Sequence, residues 1–141
     1  MGAYTKLKKI NRQFKLLQEE SKKEHKRLSE ILISKFKKDY IGKCYKYKNS
    51  YGSSSDCKPW NLYIKITDVT NVSFFDRNEP IPDLECFQFQ LTSDDRFEVE
   101  MKKHMYGYSL DSSYKEIIRE DFNVAYANLS GIVNKEAFKN D

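Results

Sequence analysis

The residues best suited to chemistry are few and scattered. Cys44, Cys57, Cys86 and His104 together would make a zinc complement of three thiolates and one imidazole. Their spacings of 13, 29 and 18 residues lack the close ligand pair, two to four residues apart, that structural zinc sites use. Free cysteines are among the residues most often buried, so these three read as core thiols and no metal is expected. Asp94 and Asp95, with Glu98 and Glu100, could gather a divalent cation for a metal-dependent nuclease. Asp94 and Asp95 are also ordinary turn residues, and Glu98 and Glu100 the wet face of a strand. The structural reading is the stronger one. His25 lies in a polar helical stretch, and His104 has no nucleophile marked beside it. No nucleophile elbow, HExxH pair or glycine-rich phosphate loop occurs, and five glycines leave little backbone for such a cradle. The chain therefore reads as a protein that is not an enzyme and carries no cofactor.

Cations present a sharper signal. Residues 1–48 hold 15 Lys or Arg and five Asp or Glu, a net +10, whereas residues 49–141 hold ten and 16, a net −6. A basic segment of this kind suits an anionic partner: nucleic acid, an acidic protein surface, or the acidic half of another copy. The plain alternative is a solvated helix kept soluble by lysine. Tyr45, Tyr47 and Tyr51 alternate with Lys43, Lys46 and Lys48, which combines phosphate neutralisation with rings that can stack on bases. In a two-residue period, however, Tyr45 and Tyr47 share a side with Ile41 and compete for the core. The glutamates at 98 and 100 would also repel a phosphate backbone.

Stepping from these residues to the elements that carry them, "KLKKINRQFKLLQEESKKEHKRLSEILISKFKK" contains no Gly or Pro and predicts a helix. Leu7, Ile10, Phe14 and Leu17 recur at three- and four-residue steps. The register continues through polar Ser21 and Glu24 to Leu28 and Ile31, a heptad stripe with its middle layers missing. As one rod, positions 5–38 would span about 50 Å, so the helix either breaks near 18–27 or projects towards a partner. From Tyr40 the period becomes two. "WNLYIKITDV" is the clearest strand, with Trp60, Leu62, Ile64 and Ile66 on one side. "TNVSFFDRNEPIPD" reads as an irregular excursion. "FQFQLTSDDRFEVEM" reads as a hairpin with one apolar face made by Phe87, Phe89, Leu91, Phe97, Val99 and Met101. "HMYGYSL" and "YKEII" read as short strands or rim. Phe122, Ala125, Tyr126, Leu129, Ile132 and Val133 define a closing helix. The expected fold is α+β: a basic N-terminal helical segment (1–39), then a compact domain (40–141) of four or five antiparallel strands, as a sheet or small barrel, closed by the C-terminal helix.

No stretch approaches a membrane span, and the N-terminus does not read as a secretory signal. An odd cysteine count without a framework suits a reducing compartment, so the cytoplasm is expected. Across residues 40–135, "YIGKCYKYKNSYG", "WNLYIKITDV", "FQFQLTSDDRFEVE" and "YKEIIREDFNVAYANL" together resemble small, mostly uncharacterised proteins of phages and prophages of low-GC Gram-positive bacteria. The resemblance carries no catalytic residues. It implies a small protein that binds and blocks a component of the bacterial host, a protein or ribonucleoprotein complex, in the manner of anti-CRISPR and other anti-defence inhibitors. On that reading the principal contact is the basic helix: Lys8, Lys9, Arg12, Lys15, Lys22, Lys23, Lys26 and Arg27. The second contact is the strand and loop bearing Lys43, Lys46, Lys48 and Tyr51. Direct nucleic-acid binding is the alternative. Two copies could also pair, through their opposite charges or by zipping their leading helices along Leu7, Ile10, Phe14 and Leu17.

Overall fold

The computed structural model describes residues 2–47, 60–74 and 79–139. Free of Gly and Pro, the leading segment forms one unbroken helix, α1 (Ala3–Tyr40), with none of its residues fully buried. Its 38 residues make a rod of about 57 Å. The polar stretch at 18–27 does not interrupt it. A solvated helix needs helix-forming residues rather than apolar ones, and Gln, Glu, Lys and Arg are good helix formers. The helix ends where Gly42 takes φ = 92°, a left-handed conformation that side-chain-bearing residues avoid. Gly42 N–H donates to the Ile66 carbonyl at 2.9 Å, and Ile66 N–H donates to the Lys43 carbonyl at 3.0 Å, so the turn fastens α1 to the sheet.

Five antiparallel strands follow: β1 (Cys44–Tyr47), β2 (Trp60–Ser73), β3 (Ile81–Thr92), β4 (Phe97–Tyr106) and β5 (Tyr114–Ile117). Their order in the sheet is β4-β3-β2-β1-β5, so β4 and β5 are open edges and the sheet does not close into a barrel. Half of the excursion expected at 70–83 is strand, 70–73 ending β2 and 81–83 beginning β3, while 75–78 lie outside the described residues. Val72 pairs with Pro82 and Ser73 with Ile81. Pro82 lies beyond the last β4 pair, Asp83 with Tyr106, where one side of β3 has no ladder to lose. The stretch expected as strand or rim divides: His104–Tyr106 ends β4, and a short helix, α2 (Gly107–Ser113), begins. A Cβ at Gly107 would stand 2.8 Å from Pro82 Cγ, so glycine is needed there for close packing. The chain closes with α3 (Arg119–Ala137), whose first turn carries Glu120 and Asp121 where the helix dipole favours acids.

The sheet was expected to bury one face and buries both. On one face Tyr45, Leu62, Ile64, Ile66, Leu84 and Cys86 pack beneath Leu110 of α2 and Ile33, Phe36 and Tyr40 of α1. On the other, Cys44 and Phe89 pack beneath Phe122, Ala125 and Leu129 of α3. Phe89 is fully buried, with ring neighbours Tyr63, Phe87, Phe122 and Tyr126. Phe97 and Val99 stand opposite Leu91 and Phe89 on this same face, yet both are exposed. The buried part of α3 covers the middle of the sheet and leaves the β4 edge bare. Tyr126 and Val133, expected on the packed side of α3, are partly exposed at 46% and 37%, with the Tyr126 ring edge-on to Phe87 and Phe89.

Candidate interaction surface

The C-terminal half of α1 is seated. Ile33, Phe36 and Tyr40 pack on the core, Lys37 pairs with Asp68 at 3.7 Å, and the His25 ring lies 5.1 Å from that of Phe74. Since Gly42 and Lys43 bond to Ile66 in the middle of β2 and Phe74 follows the end of β2, the helix runs alongside β2 from Ile66 to Phe74, which it meets at His25. Residues 3–24 then continue for roughly 33 Å.

Lys8, Lys9, Arg12, Lys15, Lys22, Lys23, Lys26 and Arg27 are all exposed. At about 100° per residue, these eight gather on one side of the helix. Among the described residues, their one ion pair is the local Arg27–Glu24 contact at 3.0 Å, and Lys8 lies 5.3 Å from the Tyr4 ring centroid. No carboxylate from the sheet or from α3 pairs with this group among the described residues. Like charges held on a rod outside the body add their fields, and such a stripe attracts anionic surfaces over a Debye length of about 8 Å at physiological salt.

The second group of expected contact residues is not a single patch. Lys43 and Lys46 sit on opposite faces of the sheet, as a three-residue separation along a strand dictates. Lys43 approaches Glu116 at 3.9 Å and the Tyr40 ring at 5.8 Å, in an open cleft of about 530 Å³ that also contains Asp39 and Asp111. Lys46 stands over the Tyr63 ring on the α3 side, 5.7 Å from its centroid. Both lie near the C-terminal end of α1, roughly 20–50 Å along the helix from the cations at 8–27. Lys48 and Tyr51 lie outside the described residues, as does Cys57.

Of the rings proposed for base stacking, Tyr45 and Tyr47 are committed elsewhere. Tyr45 is buried, and burial pushes its hydroxyl up to about 12. Tyr47 is held between Trp60, stacked at 5.4 Å, and Tyr114, edge-on at 5.3 Å. Cys44 and Cys86 lie in clusters on opposite faces of the sheet and so cannot share one ion. Burial raises both thiols, Cys86 to about 12, which opposes thiolate chemistry. His104 pairs across the strands with Glu85 and faces an open hollow beside Asp83 and Tyr106. Among the described residues no three His, Cys, Asp or Glu side chains are grouped to hold a metal ion. Asp94 accepts from Thr92 Oγ1 at 2.6 Å and from Arg96 Nε at 3.1 Å, which locks the β3–β4 turn. Glu98 accepts from Gln90 at 2.9 Å. These carboxylates have structural work within the hairpin.

Among the described residues, no helix is long and apolar enough to cross a membrane. The chain matches no protein-family model, no curated protein and no solved structure.

Proposed function

We propose that the chain is a non-catalytic binding protein whose projecting basic rod captures an acidic surface on a component of a bacterial host and blocks it. The observation that carries this reading is the rod itself. Residues 3–24 extend past the sheet, their cations face water together, and the body spends none of its own carboxylates on them among the described residues. The resemblance of residues 40–135 to phage and prophage proteins supports a host protein or ribonucleoprotein as the partner, in the host cytoplasm, and inhibition of host defence as the purpose. The sheet and α3 then act as the bulk that obstructs the occupied site. The partner contact belongs to Lys8, Lys9, Arg12, Lys15, Lys22, Lys23, Lys26 and Arg27. Lys43 and Lys46, roughly 20–50 Å along the helix from that stripe and on opposite faces of the sheet, do not form one patch with it.

The test reverses Lys22, Lys23, Lys26 and Arg27 to Glu together. Capture of the host component should disappear while Trp60 fluorescence and the unfolding transition stay unchanged. Retained capture overturns the proposal. A salt titration against random-sequence single-stranded DNA separates partners. A steep negative slope on that probe alone, with no protein captured, identifies nucleic acid as the ligand instead.

A further inference from the structure

The rod carries a feature that cation capture does not use. Leu7, Ile10, Phe14, Leu17, Leu28 and Ile31 are each between 47% and 63% exposed. They are not the residues that seat α1 on the sheet. The seated residues, His25, Ile33, Phe36 and Tyr40, centre about one direction on the helical wheel. At about 100° per residue, Leu28 and Ile31 lie roughly a third of the way around from it. Leu7 and Phe14, which precede the body, lie within about 20° of the direction of His25, so α1 has two separate apolar faces only alongside the body. One is covered by its own sheet. The other runs from residue 7 to residue 31 at heptad spacing and stays bare even alongside the body. Exposed apolar patches on this scale mark interaction sites.

We infer that a second copy of this chain covers that stripe, as a parallel two-stranded coiled coil through residues 7–31. Charge placement selects the occupant. With Leu7 at position a of the heptad and Ile10 at d, seven of the eight partner-binding cations fall at b, c and f, on the side away from the seam. The e and g positions that flank the seam hold Lys6, Asn11, Gln13, Gln18, Glu20, His25, Arg27 and Leu32. In a parallel pair, g of one helix meets the following e of the other. That brings Gln13 to Gln18 and Lys6 to Asn11, with no like-charged pair among them, while His25, the next e residue, lies against Phe74 of its own chain. A helix with net charge this high would repel its copy if its cations bordered the seam, and within residues 6–32 only Lys6 and Arg27 do.

Direction follows from the missing apolar layers. In a parallel pair Ser21 meets Ser21 and Glu24 meets Glu24, so polar layers face polar layers, and the like charge of the two carboxylates is offset by each one's own Arg27 at 3.0 Å. Antiparallel pairing that aligned Leu7 with Ile31 would set Glu24 against the Phe14 ring, leaving a carboxylate desolvated on an apolar surface. Polar layers of this kind fix register at a cost in stability. Leucine at a with isoleucine at d favours more than two strands in free coiled coils. Here Leu32 is half-buried and the His25 ring lies tilted 5.1 Å from that of Phe74, so the e flank of the last heptads is occupied by the chain's own body and a third strand has no place.

The test uses the full chain. Sedimentation should give twice the chain mass, falling to one on dilution, and Ile10→Asp with Leu17→Asp should give the monomer at every concentration. A monomeric native chain overturns the inference, as does a dimer that survives the double substitution. A second measurement does not depend on how the aspartate variant folds. Leu17→Cys in a Cys57→Ser background should form a disulfide-linked dimer on air oxidation. An antiparallel pair in the register above would instead link Leu17→Cys to Ser21→Cys when the two variants are mixed, and neither alone. That outcome, or no linkage at all, also overturns it. Reversal of Lys22, Lys23 and Lys26 alone, at b, c and f and clear of the seam, should weaken partner capture and leave the Leu17→Cys linkage intact, so loss of partner capture and loss of pairing are separable.

Discussion

Removing the first 21 residues should leave the body as stable as before. Tyr4, Leu7, Ile10, Phe14, Leu16 and Leu17 are each at least 54% exposed, and no residue before His25 has a recorded contact with the sheet among the described residues. Their deletion takes no apolar area out of a protein environment, so the transfer term, about 25 cal/mol per Å² buried, is close to zero. Phe36→Ala provides the contrast. Its ring is half-buried on the core cluster and lies 6.0 Å from that of Tyr40. A fully buried phenylalanine costs about 3–5 kcal/mol when cut to alanine, and half the burial gives about 2 kcal/mol. For a domain of this size that is a fall in Tm of roughly 4–12 °C. The assay is thermal and urea unfolding followed by Trp60 fluorescence, in dilute solution where any second copy has dissociated. A deletion that lowers Tm as much as Phe36→Ala would refute the picture of a free rod on a self-supporting body.

Other outcomes follow from the same geometry. Phe89→Ala should cost about 3–5 kcal/mol and its cross-strand neighbour Val99→Ala under about 1 kcal/mol in urea unfolding, because α3 covers the first and not the second. Gly42→Ala should destabilise by about 1–2 kcal/mol, since φ = 92° is strained for alanine and its Cβ would stand 3.0 Å from Arg119 Nη2. Asp94 is held below the usual carboxylate range, chiefly by the Thr92 hydroxyl, with Arg96 also contributing. A depressed carboxyl stabilises the fold above its unfolded pKa and loses that contribution as pH falls through the folded value. Thr92→Val should therefore move the Asp94 midpoint upward in an NMR titration and weaken the acid dependence of the turn. Cys44 and Cys86 should resist an aromatic disulfide reagent at neutral pH and react once the chain is unfolded, because burial both hides the thiols and keeps them protonated.

The leading helix, the strand at Trp60, the hairpin and the closing helix were legible in the sequence because each has one strong period over many residues. What was not legible depended on which surfaces meet. Lys65, Gln88 and Gln90 punctuate the strands with polar residues, which conceals that Tyr63, Phe87 and Phe89 support a second buried face. Phe97 and Val99 alternate as core residues do, yet their exposure is set by the reach of α3, a tertiary fact. Helix α2 has a single buried leucine, Leu110, and starts with Gly107, too little signal for a period of 3.6. Counting charges located the cations of the candidate site, and the period of two already separates Lys43 from Lys46. That α1 seats itself by His25, Ile33, Phe36 and Tyr40, rather than by its heptad stripe, could not be read without the sheet beneath it.

The exposed β4 edge has a consequence for colloidal behaviour. A bare strand with Phe97 and Val99 in view could template stacking into fibres. Between its pairs Cys86–Lys103 and Gln88–Glu100 it carries one extra residue, so its backbone is kinked near Met101, and Lys102 and Lys103 follow at once. A stray strand could zip along only four residues, from Phe97 to Glu100, before losing register and meeting two ammonium groups, which is how an apolar border can face water without recruiting its own kind.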